Sequence, residues 1–133
     1  AIALATLRHP ELSITEVACG YSFDDGARLA QSFDPRTATA VLAFNDLVAL
    51  AFLGGIRARG VAVPADVSVV GFGNIVFTQY SDPPLTTVSA SETEPGQHAW
   101  RRLESLLESR EPESDITLAP RLFVRASTAP ARS

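Results

Sequence analysis

A chain of 133 residues is long enough for one domain of ordinary size with a real core. Its 46% hydrophobic and 20% charged residues, at a net charge of −4, mark a soluble globular chain and exclude a disordered one. All eleven cations are Arg, and the acidic balance speaks against a nucleic-acid surface, which needs clustered cations to displace phosphate counterions. The single cysteine, Cys19, excludes an internal disulfide framework and a four-thiolate zinc site, and is compatible with a reducing cytoplasm. Apolar stretches such as Val48–Leu53 fall far short of the roughly 20 residues of a membrane span, so no membrane partner is expected. Ala1–Arg8 lacks the pattern of a secretion signal and the starting Met, so the chain is expected to be a piece of a longer gene product.

No repeat occurs at solenoid periods. Ser13–Cys19 alternates apolar and polar residues and suits a strand. Phe23–Phe33 places Ala27, Leu29, Ala30 and Phe33 at helical spacing, with Asp24 and Asp25 favourable at its start. Ala40–Phe44 is a continuous apolar run, as expected of a strand buried on both faces. Asn45 and Asp46 open a helix over Leu47–Arg59, with Gly60 as its C′ residue. Gly54 and Gly55 inside it are costly, about 1 kcal/mol each relative to Ala, and point to the close approach of another backbone or to a kink.

Val61–Asp66 reads as a turn and Val67–Phe72 as a buried strand. Gly73–Pro84 is irregular, Leu85–Ser89 a short extended piece, and Glu92–Ser109 the longest helix, with Ala99, Leu103, Leu106 and Leu107 on one face. Arg110–Asp115 is a charged loop, Ile116–Ser127 holds a final strand around Leu122, Phe123 and Val124, and the last residues form a tail. The alternation predicts an α/β fold, a parallel sheet with helices on both faces.

Ligands bind such sheets at the carboxyl ends of the strands. Three loops qualify: Gly20–Asp25, Asn45–Asp46 and Gly73–Tyr80. Asn45 offers both a donor and an acceptor to a ligand, or else caps the following helix; the residue types leave both readings open. Tyr21 suits a platform for the apolar face of a sugar or a base, or is simply an exposed loop aromatic. There is no Gly-x-Ser-x-Gly elbow, no phosphate loop ending in Lys-Ser or Lys-Thr, and no Gly-x-Gly-x-x-Gly. His9 and His98 stand apart without ligand spacing, and Asp24-Asp25 has no third partner. The expectation is a non-enzyme with no catalytic residue, no metal and no cofactor.

The stretch VLAFNDLVALAFLGGIRARGVAVPADVSVVGFGNIVFTQYSDPPLTTV (Val41–Val88) closely resembles the ligand-binding core of lactose/galactose-repressor (LacI/GalR) type transcriptional regulators. The match rests on Asn45-Asp46, Ala49, Gly60, Val63-Pro64, Asp66-Val67-Ser68, Val70-Gly71-Phe72 and Pro84-Leu85-Thr86-Thr87. The ending RLFVRAST (Arg121–Thr128) and the spacing from Tyr21 to Gly26 extend it over nearly the whole chain. The resemblance implies a fold of the type I periplasmic-binding-protein kind, dimeric and cytoplasmic, with a small effector in the cleft between two subdomains and an N-terminal helix-turn-helix on operator DNA. Residues 1–128 would then be the C-terminal half of the effector-binding and dimerisation domain, with 92–109 a helix of the second subdomain and 129–133 a tail. The helix-turn-helix is absent from this chain, so operator DNA is expected to be met only through that other part. The apolar face of the 92–109 helix then needs a partner: its own fragment, a swapped neighbour or a dimer mate.

Position by position, the resemblance makes Tyr21 the aromatic platform and Asn45 a polar ligand contact, with Asp46 a structural carboxylate. Gly73 stands where the family carries an Asp that accepts hydrogen bonds from sugar hydroxyls, so either Asn74 or Gln79 takes over, the ligand is less polar, or the site is degenerate. Leu47, Leu50, Phe52, Tyr80 and Ser81 fall on the family's dimer surface, although Leu47, Leu50 and Leu53 suit a plain core equally well. The alternative readings are a periplasmic sugar-type solute-binding protein of a transporter, which shares the fold, and an α/β enzyme, which the missing nucleophile, base and cofactor loop oppose.

Overall fold

Ser22 opens the first helix, α1 (Phe23–Ser32), by a reciprocal cap. Its hydroxyl accepts from the Asp25 N–H at 3.2 Å while the Asp25 carboxylate accepts from the Ser22 N–H at 2.8 Å, so two donors without helical partners are satisfied at once. The structure, a computed structural model, describes residues 8–89, 94–111 and 115–132. After α1 come β1 (Ala40–Leu42), α2 (Asp46–Ala58), β2 (Ser68–Phe72), a 3-10 turn (Val76–Gln79), β3 (Thr86–Ser89), α3 (Glu94–Leu107) and β4 (Arg121–Phe123). The strands form one sheet in the order β1-β2-β3-β4; the first three are parallel and β4 runs antiparallel to β3.

The core lies between α2 and one face of the sheet. Ala49, Phe52, Leu53 and Ile56 of α2 meet Val67, Val69 and Leu85, with Ala30 of α1 in the same cluster. Each fully buried large side chain here contributes about 1.5–3 kcal/mol of transfer free energy. Close approach of α1 to α2 depends on Gly55: a methyl group there would lie 2.5 Å from the Ala30 Cβ, whereas one at Gly54 would meet nothing. The Arg59 guanidinium, at the end of α2, donates to the carbonyls of Ala30 and Phe33 and so closes the far end of the helix pair. Gly60 follows in the left-handed region at φ 83°, the C′ position expected of it.

The structure departs from the sequence reading at several points. Residues 12–19 form no regular element and join no ladder, and Leu12, Ile14 and Val17 are exposed. An alternating pattern makes a strand only when a neighbouring edge supplies hydrogen-bond partners, and the edge strand β1 pairs with β2 alone. Consequently Ala40–Phe44 is an edge rather than a strand buried on both faces, with Leu42 and Phe44 exposed. Among the described residues α1 and α2 join the core on one face of the sheet, and Leu42, Phe72 and Leu122 on the other face are exposed. The last strand shrinks to three residues because the chain then turns across the sheet: Ser127, fully buried, donates its hydroxyl to the Val69 carbonyl at 2.6 Å and accepts from the Thr86 N–H at 2.8 Å. The chain is still tied down at Ala129, whose N–H donates to the Ser68 hydroxyl at 3.1 Å, so order reaches into the expected tail.

Helix α3 carries Trp100, Leu103, Leu106 and Leu107 exposed, so its apolar face is not covered by this chain's own described residues. An ion pair between Arg102 and Asp115 at 2.7 Å joins it to the segment that follows. The expected helix start at Glu92, the middle of the Arg110–Asp115 loop and residues 1–7 lie outside the described residues.

Candidate functional site at the carboxyl ends of the strands

The chain leaves β1 and enters α2 through Asn45 and Asp46, and these two side chains organise the carboxyl edge of the sheet. Asn45 is the N-cap of α2: its Oδ1 accepts from the Val48 N–H at 2.8 Å. Its Nδ2 donates to the Tyr21 carbonyl at 2.8 Å, which brings the α1 loop to the start of α2. One amide N–H and one lone pair of Asn45 remain for other partners. Asp46 is 1% exposed. Its Oδ1 accepts from the Thr87 hydroxyl at 2.6 Å and its Oδ2 from the Ile75 N–H at 2.9 Å, so one carboxylate ties α2, the loop after β2 and β3 together. Gly71 makes room for it, since a methyl there would sit 2.2 Å from that Oδ1.

Gly73 and Asn74 both adopt positive φ, 130° and 58°. Glycine suits residue 73 on two counts: an L side chain is strained at that φ, and its Cβ would lie 3.2 Å from the Asp46 Oδ2. The Asn74 side chain is occupied, its Oδ1 accepting from Arg125 Nη2 at 2.7 Å. Arg125 Nη1 donates to the Thr78 hydroxyl at 3.0 Å and the Leu85 carbonyl at 2.7 Å, and its guanidinium lies 5.6 Å from the Phe123 ring centroid. This fork holds the loop from Asn74 to Leu85 against the end of the sheet.

The sequence candidates therefore divide. Tyr21 and Asn45 come together, and the Tyr21 side chain stands 75% exposed. Gly73 and Asn74 join them through Asp46 and its neighbours, with the Asn74 side-chain carbonyl held by Arg125. Gln79 is exposed on the 3-10 turn. Of the residues assigned to a dimer surface, Leu47 and Tyr80 are exposed, while Leu50 is partly buried against the core. Ser81 donates its hydroxyl to the Pro83 carbonyl at 2.9 Å. Phe52 is corrected: at 1% exposure it belongs to the core, its ring 5.0 Å from that of Phe33, and it presents nothing to a partner.

Sequence reasoning missed Arg125, whose partners lie too far along the chain for any local pattern to reveal. It also read Asp46 as a helix-opening carboxylate when the side chain crosses to β3. The acidic groups of the α1 side are set by local bonds. The Ser22 hydroxyl and N–H, then Arg28, hold the Asp25 carboxyl below the usual range. The Arg36 guanidinium and N–H beside Asp34 lower its carboxyl from 3.8 to about 2.

Residues 5–128 match the family described as the periplasmic binding protein-like domain. The transcriptional regulator DegA of Bacillus subtilis is 38% identical over 112 residues, covering 83% of this chain and 33% of DegA. The chain belongs to the LacI-type branch of that family. The transcriptional repressor CytR of Escherichia coli is 35% identical over 111 residues, covering 81% of this chain and 33% of CytR. Among solved structures, the transcription regulator CcpA of Lactococcus lactis superposes with a TM-score of 0.86 at 30% identity, over 96% of this chain and 48% of that one. A sugar-binding transcriptional regulator of the LacI family from Escherichia coli, solved with phosphate, gives 0.83 at 30% identity, over 96% and 48%. This LacI-type chain thus spans about a third of its curated relatives and about half of the solved ones. These relatives are named as regulators and repressors, which places the chain with effector-binding domains of regulators and not with enzymes. Among the described residues no helix is long and apolar enough to cross a membrane.

Proposed function

We propose that this LacI-type chain is the effector-sensing and dimerisation part of a cytoplasmic transcriptional regulator, taking a small molecule of the sugar class or a related one at the carboxyl edge of its sheet. The observation that carries the reading is the 2.8 Å bond from Asn45 Nδ2 to the Tyr21 carbonyl, which ties the loop bearing the exposed Tyr21 to an amide with spare hydrogen-bonding capacity. Ligand bound there and to the loop from Gly73 to Gln79 favours one arrangement of the whole regulator over another, and its effect on operator affinity is bounded by its differential affinity for the two. Leu47, Leu50, Tyr80 and Ser81 are proposed for the homodimer contact, and operator DNA is met by another part of the polypeptide.

The test is a thermal-shift screen of the whole gene product against sugars, sugar phosphates, polyols and nucleosides. A melting temperature that climbs with ligand concentration supports the sensor reading. With the ligand so found, Asn45→Ala weakens binding about tenfold while the chain stays folded. Silence across the screen, or an Asn45→Ala protein with unchanged affinity, counts against the reading and against this residue respectively.

A further inference from the structure

Arg28, Arg36, Arg57, Arg102 and Arg110 each pair with a carboxylate. Half-buried Arg125 does not. Among the described residues its guanidinium meets three neutral oxygens: Asn74 Oδ1 at 2.7 Å, Thr78 Oγ1 at 3.0 Å and the Leu85 carbonyl at 2.7 Å. A carboxylate would hold this cation by charge, whereas three oxygens along one loop hold it by geometry, which the planar fork of arginine matches and an ammonium does not. One arm of the fork ends on Asn74, at φ 58°, whose N–H donates to the Thr87 hydroxyl at 3.3 Å. A non-glycine residue at that φ is held there by its surroundings.

The backbone of Arg125 is tied as well. Its N–H donates to the Thr86 hydroxyl at 2.9 Å and its carbonyl accepts from the same group at 3.3 Å. Gly73, in the gripped loop, donates its N–H to the Val88 carbonyl at 2.7 Å. The loop after β2 is thus bonded to β3 directly and to the chain after β4 through Arg125. These are the two strands between which the chain carries α3: Ser89 at the end of β3 pairs with Arg121 at the start of β4, and α3 lies between them in sequence. A displacement of Asn74 or Thr78 therefore reaches both roots of α3. We propose that Arg125 is a positioning residue that couples the loop from Gly73 to Gln79 to the segment bearing α3, so that an effector held by the loop shifts α3. The inference deepens the effector-sensing reading and rests on it.

Hydrogen exchange of the whole gene product is followed with glucose, glucose 6-phosphate, sorbitol, ribose or adenosine at saturation, whichever of them raises its melting temperature. In the parent the bound probe slows exchange in the loop and changes it in residues 94–107 by about threefold or more. Arg125→Lys keeps the charge but cannot fork across three oxygens; the probe still protects its loop, while the response of residues 94–107 is lost. A residue that only stabilised the fold would lower the melting temperature and leave that response in place. Should Arg125→Lys fail to fold, Asn74→Gly answers the same question, since glycine keeps φ 58° without strain and removes the carbonyl that the fork grips. A response of residues 94–107 that survives in either folded variant overturns the proposal. So does an Arg125→Lys protein that folds but no longer binds the probe, or a parent whose α3 ignores a bound probe. In each of these cases the sensor reading stands while this inference falls; if no probe binds the parent, both fall.

Discussion

Helices α2 and α3 are nearly the same length, 13 and 14 residues, yet they have opposite surroundings. Seven residues of α2 are buried, including the acidic Asp46, and every large apolar side chain from Phe52 to Ile56 faces the sheet or α1. In α3 the apolar side chains Trp100, Leu103, Leu106 and Leu107 are exposed. Both helices follow from local signals, but helices of this length gain most of their stability from packing an apolar face. The contrast shows that spacing writes an apolar face into a helix without saying what will cover it.

The comparison breaks most visibly at its extremes. Phe52→Ala removes a core ring and is expected to cost about 3–5 kcal/mol in urea unfolding, whereas Leu103→Ala on α3 stays within about 0.5 kcal/mol in the isolated chain. A Leu103→Ala cost near that of Phe52→Ala would show that α3 is packed after all. Asp46→Ala comes next. It strands the buried Thr87 hydroxyl and the Ile75 N–H, for about 1–3 kcal/mol in the same assay; a near-zero change would deny the carboxylate its role as a tie.

Gly73→Asp sharpens the site side of the contrast. It places an L side chain at φ 130° and a second carboxylate beside Asp46, so about 1–3 kcal/mol of destabilisation is expected, measured by thermal melting. Unchanged stability would mean that the loop readily adopts another backbone and that Gly73 is a matter of ligand choice alone.

The smallest effect is electrostatic and belongs to the exposed periphery. Arg36 holds the Asp34 carboxyl at about 2, below its ordinary 3.8, so the unfolded chain takes up the proton first as pH falls. The contribution of Asp34 is therefore complete above about pH 4 and is lost between there and about pH 2. Asp34→Asn should flatten the acid-unfolding curve slightly in that window; an identical curve would leave the pair without effect on stability.

Much of the interior was legible because its rules are local. The period of α2, the Gly60 that ends it and the apolar run of β2 all report themselves within a few residues. Tyr21 and Asn45 were legible as residues of candidate loops for a similar reason: each stands at the start of a helix, and the fold class says where such loops gather. Residues 12–19 misled because alternation describes a side-chain pattern and not a hydrogen-bonding neighbour. Phe52 misled because a large apolar residue suits a core and an interface equally until its surroundings are known.

Sequence alone thus determined the α/β class, the family, the helix ends and the loops that carry the candidate site, since all of these follow from spacing, turn chemistry and residue type. Only the tertiary structure decided that Asp46 reaches β3, that Arg125 binds the Asn74 carbonyl, that a side chain at residue 73 would be strained and close to Asp46, and that Phe44 stands uncovered. Each of these depends on which distant segments lie within a few ångströms of one another, a distance that no local pattern in the chain encodes.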